Sequence, residues 1–216
     1  MNTKNILISI SWILLLSSGI INNNKKPLTK WETIISKNGI KIEYRWIIYK
    51  DSIKTRENKS VFHVKAPIKI ILQQFKSSNK LKKWSTGIKA CKVFEDKGDE
   101  WYTYFRYKIP WPLEQQDLVS IVKRYKTENS TILHMISTPK KIPFVKNIKR
   151  LKNTETIWIL KPISKNITSI EVRSISVNDP LIPRFFQDKI VFNLLIDSFL
   201  NLKKMAEEQK TPMLID

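Results

Sequence analysis

Between Ala90 and Asn178 the chain alternates apolar and polar residues in six consecutive runs: ACKVFED, EWYTYFRYKI, DLVSIVKRY, STILHMIS, ETIWILKPI and TSIEVRSISV. Turn-forming breaks separate them, among them Gly98-Asp99, Pro110-Trp111-Pro112 and Glu128-Asn129. A period of two sends alternate side chains to opposite faces of a sheet. Strands joined this closely pair antiparallel, because parallel neighbours need a crossover of about a dozen residues or more. The Pro-Trp-Pro step fixes φ twice and removes two amide donors, so it predicts a corner between two strands.

A meander of this length must bury one face, and a hydrophobic content of 42% in 216 residues suffices for one core. The stretch PRFFQDKIVFNLLIDSFLNLKKM predicts a terminal helix of about six turns. Phe186, Ile190 and Leu194 lie on one of its ridges, and Val191, Leu195, Phe199 and Leu202 on the next. Upstream, GIKIEYRWIIYK and SVFHVKAP alternate on either side of polar DSIKTRENKS, predicting two strands joined by it. Pro67 then starts a helix reaching about Phe75, and a second short helix reaches Trp84. These elements predict an α+β fold, a curved antiparallel sheet wrapped around the long C-terminal helix, with two short helices between early strands and a hydrophobic cavity inside.

The N-terminus has the order of a targeting signal: Lys4, an apolar run over residues 6–21, then polar NNNKK. Residues 1–24 are expected to be a signal peptide or an N-terminal membrane anchor, 25–210 the folded domain, and 211–216 a disordered tail. The protein is then exported, periplasmic or envelope-associated. No cysteine follows the apolar run, which excludes a lipid-modified N-terminus of the bacterial lipoprotein type. With 39 Lys and Arg against 19 Asp and Glu, the net charge of +20 suggests an anionic partner. The lysines are scattered, without an arginine-rich tract or finger spacing, so an anionic membrane surface is expected and not nucleic acid. One cysteine, Cys91, and two histidines, His63 and His134, predict no disulfide, no metal and no cofactor.

Four stretches in order resemble the StAR-related lipid-transfer (START) domains of the helix-grip superfamily, over about residues 31–206. KNGIKIEYR resembles the first strand of that family, VKAPIKIILQQF with KKW its helix pair, and YKIPWPLEQQDLVSIVKR its Pro-x-Pro corner with the Asp and strand that follow. WILKPISKNITSIEVRSISVNDPLIPRFF resembles its last strands and the approach to the terminal helix. The resemblance implies a lipid or other hydrophobic small molecule bound in the cavity by a monomer, with possible transfer between membranes. Two departures stand out: Gln116 precedes Asp117 where family members commonly carry Arg, and the approach to the last helix is shortened to Asp179-Pro180-Leu181-Ile182-Pro183. Without that Arg a phosphate-binding donor is missing, which leans toward neutral lipids.

Charge belongs on the wet face, so alternation selects the cavity face. It turns Trp101, Thr103, Phe105 and Tyr107 inward, then Leu118, Ser120 and Val122, then Trp158 and Leu160, and finally Ile170, Val172, Ser174 and Ser176. From the helix, Phe186, Ile190 and Leu194 are expected to meet them. Asp117 is expected to cap the corner by accepting backbone hydrogen bonds, and Glu171 with Arg173 to form a solvated pair. Residues 138–150 place Phe144 and Val145 among Lys140, Lys141, Lys146, Lys149 and Arg150, the mixture of a loop that touches an anionic bilayer and gates the cavity beside Phe186. There is no Ser-His-Asp logic, no inward pair of carboxylates and no metal-ligand cluster, so the expected activity is binding without catalysis. Two alternatives remain open at this point, a helix-grip enzyme acting on a hydrophobic substrate and an interaction protein with a filled core.

Overall fold

The structure, a computed structural model, describes residues 25–178 and 180–209, so the expected leader and tail lie outside the described residues. In chain order it forms β1 (Lys25–Pro27), β2 (Glu32–Lys37), β3 (Ile40–Tyr49), β4 (Ile53–Val64), α1 (Ile68–Gln73), α2 (Ser78–Trp84), β5 (Ile88–Phe94), β6 (Glu100–Tyr107), β7 (Gln116–Lys126), β8 (Thr131–Ser137), β9 (Lys149–Arg150), β10 (Thr154–Ser164), β11 (Ile167–Ser176) and α3 (Arg184–Glu208). All strands join one sheet in the order β1-β3-β4-β11-β10-β8-β7-β6-β5, with β2 on β3 and β9 on β7. The six alternating runs are β5, β6, β7, β8, β10 and β11, and consecutive runs pair antiparallel. The last of them returns to β4, which links the meander to the N-terminal strands.

One prediction needs correction here. The polar stretch DSIKTRENKS is not a connection: β4 begins at Ile53 and runs through it. Its charges are accommodated by partners across the fold, Glu57 by Arg45 at 2.6 Å and Arg56 by Asp188 of α3 at 2.6 Å. These pairings are long-range, so the local sequence shows only a polar segment.

The sheet curves around α3. From Phe192 onward the helix buries Phe192, Ile196, Phe199, Leu202 and Ala206 in the main core. Phe199 stacks on Phe62 with ring centroids 4.6 Å apart and meets Trp158 edge-on at 5.9 Å. Phe75 and Trp84 close the same cluster, at 4.9 and 5.8 Å from Trp158. Gly87 (φ +79°) lets the start of β5 approach the helix, since a Cβ there would lie 3.1 Å from Leu194. Gln209 receives hydrogen bonds from Gln74 and Lys80, which fixes the helix C-terminus beside α1 and α2 at what we term the lower end. The Arg56–Asp188 pair fixes its N-terminal half at the upper end, where β6 stops and β7 begins. Among the described residues no helix is long and apolar enough to cross a membrane.

Candidate functional site

The concave face divides into two zones. In the lower zone Trp158, Leu160, Ile170 and Val172 are buried as their alternation predicts. There they pack against helices: Trp158 sits among Phe75, Trp84 and Phe199, and Ile170 lies beside Phe62 in the register. Their first task is to hold α3, which alternation alone does not reveal.

The upper zone carries hydroxyls. Thr103 faces Ser120 across β6 and β7, and Ser120 faces Ser137 across β7 and β8. Thr154 faces Ser176, and Thr156 faces Ser174, which in turn faces Asn58 of β4. The backbone amide of Thr154 donates to Ser137 Oγ at 3.1 Å, joining the two groups of strands. A belt of small polar side chains therefore crosses the inner face above the aromatic cluster. Thr103 and Ser120 are buried, Ser174 is half-buried, and Ser176 is exposed at the sheet end with its Oγ accepting from Asn178. Ser137, Thr154 and Thr156 share the belt but were not among the predicted residues; the same parity as Trp158 would have found the two threonines.

Around the belt, Trp101, Phe105, Leu118 and Val122 are buried, and Tyr107 and Cys91 are half-buried against the core. Burial, helped by the nearby Asp117 charge, pushes the Tyr107 phenol up to about 12. Burial pushes the Cys91 thiol up to about 11, so it stays a protonated, unreactive group at neutral pH. Four buried inward polar atoms have no hydrogen-bond partner among the described residues: Trp101 Nε1, Thr103 Oγ1, Asn58 Oδ1 and Arg56 Nε.

The helix contribution differs from the prediction. Phe186 and Ile190 are 60% and 54% exposed, and Leu194 is half-buried. At about 100° per residue, Phe186 and Ile190 lie on the side of the helix opposite Asp188, and Asp188 is drawn to the sheet by Arg56. The ridge that meets the sheet is therefore the one through Phe192, Phe199 and Ala206.

The loop over residues 138–150 also departs from its expected form. Arg150 is not a surface cation: its side chain is buried and forms two hydrogen bonds with Asp117, Nη2 to Oδ2 at 3.0 Å and Nε to Oδ1. Its remaining donors reach the carbonyls of Pro139 at 2.8 Å, Pro143 at 3.2 Å and Ile142 at 3.4 Å. Asp117 thus binds a guanidinium where a backbone cap was expected, and the loop closes on Arg150 as a braced unit against the outer face. Lys141 is tied to Glu95 at 2.7 Å and covers the Tyr102 ring, and Lys149 pairs with Glu114 at 3.4 Å. Lys140, Phe144, Val145 and Lys146 remain exposed at the tip. Glu171 and Arg173 form the expected pair, at 2.6 Å. Trp111, 91% exposed at the Pro-Trp-Pro corner, and Phe185, 81% exposed, are apolar surface that sequence reasoning missed, because neither breaks a local pattern.

No protein-family model matches the chain. An uncharacterised protein of Pseudomonas aeruginosa is 22% identical over 180 residues, covering 83% of this chain and 88% of that protein. Among solved structures, the STAR-related lipid transfer protein from Xanthomonas axonopodis superimposes with a TM-score of 0.71 at 18% identity, over 82% of this chain and 99% of that one. Human StAR-related lipid transfer protein 5 gives 0.67 at 13% identity, over 85% and 89%. The chain has the START-like helix-grip fold.

Proposed function

We propose that this protein binds a lipid between the concave sheet face and α3, without covalent chemistry, and exchanges it with a membrane outside the cytoplasm. The observation that carries the reading is the inner face itself: side chains uncharged apart from Arg56 and Arg124, which are paired with Asp188 and Asp99, an apolar floor and a belt of hydroxyls, on a fold it shares with lipid-transfer proteins. Such a lining suits a molecule that is mostly apolar with few polar atoms. Mass spectrometry of molecules extracted from the purified protein tests this; recovery of no lipid from protein expressed in a lipid-replete cell would count against it.

The upper end supplies a surface for docking on an anionic bilayer. Trp111 at the β6–β7 corner and Phe185 and Phe186 on the first turn of α3 are exposed, and so are Phe144 and Val145 with Lys140 and Lys146 in the braced loop. Exposed rings with cations around them match an interfacial insertion, each cation adding about 1 kcal/mol near an anionic surface. The braced loop is then a fixed foot, and the first turns of α3 are the wall that moves. Replacing Phe185 and Phe186 by Ser should leave stability within about 0.5 kcal/mol, because both are solvent-facing. The same variant should weaken binding to phosphatidylglycerol vesicles in co-sedimentation. Unchanged vesicle binding would remove the helix from the docking surface.

A further inference from the structure

Resting on the lipid-binding reading above, we infer that the site selects a ligand whose buried end is a neutral oxygen group, and that Trp101 and Thr103 recognise it. Both residues are 1% exposed, both lie on the inward face of β6, and Trp101 Nε1 and Thr103 Oγ1 have no hydrogen-bond partner among the described residues. Two residues apart on one strand, they lie about 7 Å from each other along the wall. Buried polar groups are nearly always satisfied, so two orphans on one stretch of strand mark a place where a bound molecule completes the bonding.

The donor chemistry sets the ligand class. An indole N–H can only donate, so the ligand must present an acceptor; the Thr103 hydroxyl can donate or accept. Ser120 stands directly across from Thr103 and adds a third hydrogen-bonding group. Above Arg124, which Asp99 holds at the lower end, the inward positions of β5 to β8 carry no charged side chain. The nearest cations, Lys76, whose ammonium lies 4.8 Å from the Trp101 ring centroid, and Arg124, are already paired with Asp96 and Asp99, so a carboxylate or phosphate brought to this wall would lie buried without a free counter-charge, which is strongly unfavourable. A hydroxyl, ester or ketone oxygen meets the donors without that penalty. The acyl or ring portion then extends over Phe105 and Val122 toward the half-buried Met135.

The test is a displacement series with hexadecane, hexadecanol and hexadecanoate against a fluorescent apolar probe at neutral pH, using the full domain and its Thr103→Val and Trp101→Phe variants. The wild type should prefer hexadecanol over both others. Thr103→Val should weaken hexadecanol by about tenfold, the order of one buried hydrogen bond, and leave hexadecane unchanged. Its ligand-free Tm should rise, because an unpartnered hydroxyl has gone. Trp101→Phe gives the same comparison with a different donor should the first variant fold poorly. Equal binding of hexadecane and hexadecanol, or a preference for hexadecanoate, overturns the inference and leaves lipid binding standing. Failure of all three to displace the probe removes the lipid-binding reading itself.

Discussion

The two faces of one sheet handle buried polar groups in opposite ways. On the outer face the buried carboxylates have cationic partners: Asp117 with Arg150, Glu57 with Arg45, Glu43 with Lys41 and Lys59, and Glu155 with Lys25, helped by a hydrogen bond with His134. On the inner face the polar groups are neutral except Arg56 and Arg124, which meet Asp188 and Asp99, and several buried atoms have no hydrogen-bond partner among the described residues. The outer face does hold two orphans, Arg106 Nε and Thr138 Oγ1, but its carboxylates are paired. A paired buried charge is costly to break, whereas an orphan is a standing cost that its removal relieves. The outer polar groups therefore maintain the fold, and the inner ones are kept at a cost to it. The same kind of substitution, polar to apolar, should change stability with opposite sign on the two faces.

The largest effect is expected at Arg150. Arg150→Met removes both hydrogen bonds to buried Asp117, leaves only Arg106 opposite it in the register, and frees three loop carbonyls, a loss of about 3–5 kcal/mol in chemical denaturation. Combining it with Asp117→Asn should cost clearly less than the sum of the two single changes, since each removes the partner that makes the other expensive. A loss under about 1 kcal/mol for Arg150→Met would break the contrast at its strongest point.

Glu155 gives a smaller effect with a pH signature. Burial pushes its carboxyl up, but the hydrogen bond from His134 at 2.9 Å and the charge of Lys25 at 3.3 Å outweigh that and hold it below its ordinary 4.5. A lowered folded-state pKa means the stabilisation is fully present above 4.5 and is lost as the pH falls through the folded value. Glu155→Gln should cost about 1–3 kcal/mol at neutral pH. The gap from the wild type should close on acidification below that range. A gap that stays constant down to strongly acidic pH would show that the carboxylate charge is not what stabilises.

How much of this was legible in the sequence depends on whether the deciding contact was local. The six alternating strands, the helix pair and the inward parity of Trp101, Thr103 and Phe105 follow from side-chain period alone, and the structure has them. The facing ridge of α3 does not follow, because apolar residues occupy most of its circumference. Its rotation is the one that buries Phe192, Phe199 and Ala206 and brings Asp188 to Arg56, which is 132 residues away. Arg150 was misread for a similar reason. Among Lys140, Lys141, Lys146 and Lys149 it looks like one more solvated cation, and only the tertiary approach of Asp117, 33 residues earlier, shows it to be buried. The hydroxyl belt was half legible: each strand shows its own serine or threonine, but the register that lines them up belongs to the sheet.

The smallest predicted effect is the most diagnostic, because its sign is the unusual one. Asn58 lies on the inner face of β4, between Ser174 and Tyr44 in the register, and its buried Oδ1 has no hydrogen-bond partner among the described residues. If the inner polar groups serve a ligand and not the fold, Asn58→Leu, close in shape, should hold stability level or raise it by up to about 1 kcal/mol. On the outer face no carboxylate-to-apolar change should do this. Urea denaturation of ligand-free Asn58→Leu, with delipidation checked by mass spectrometry, measures the sign directly. A loss above about 1 kcal/mol would mean that Asn58 is satisfied in the folded protein and stabilises it, and the two faces would then obey one rule.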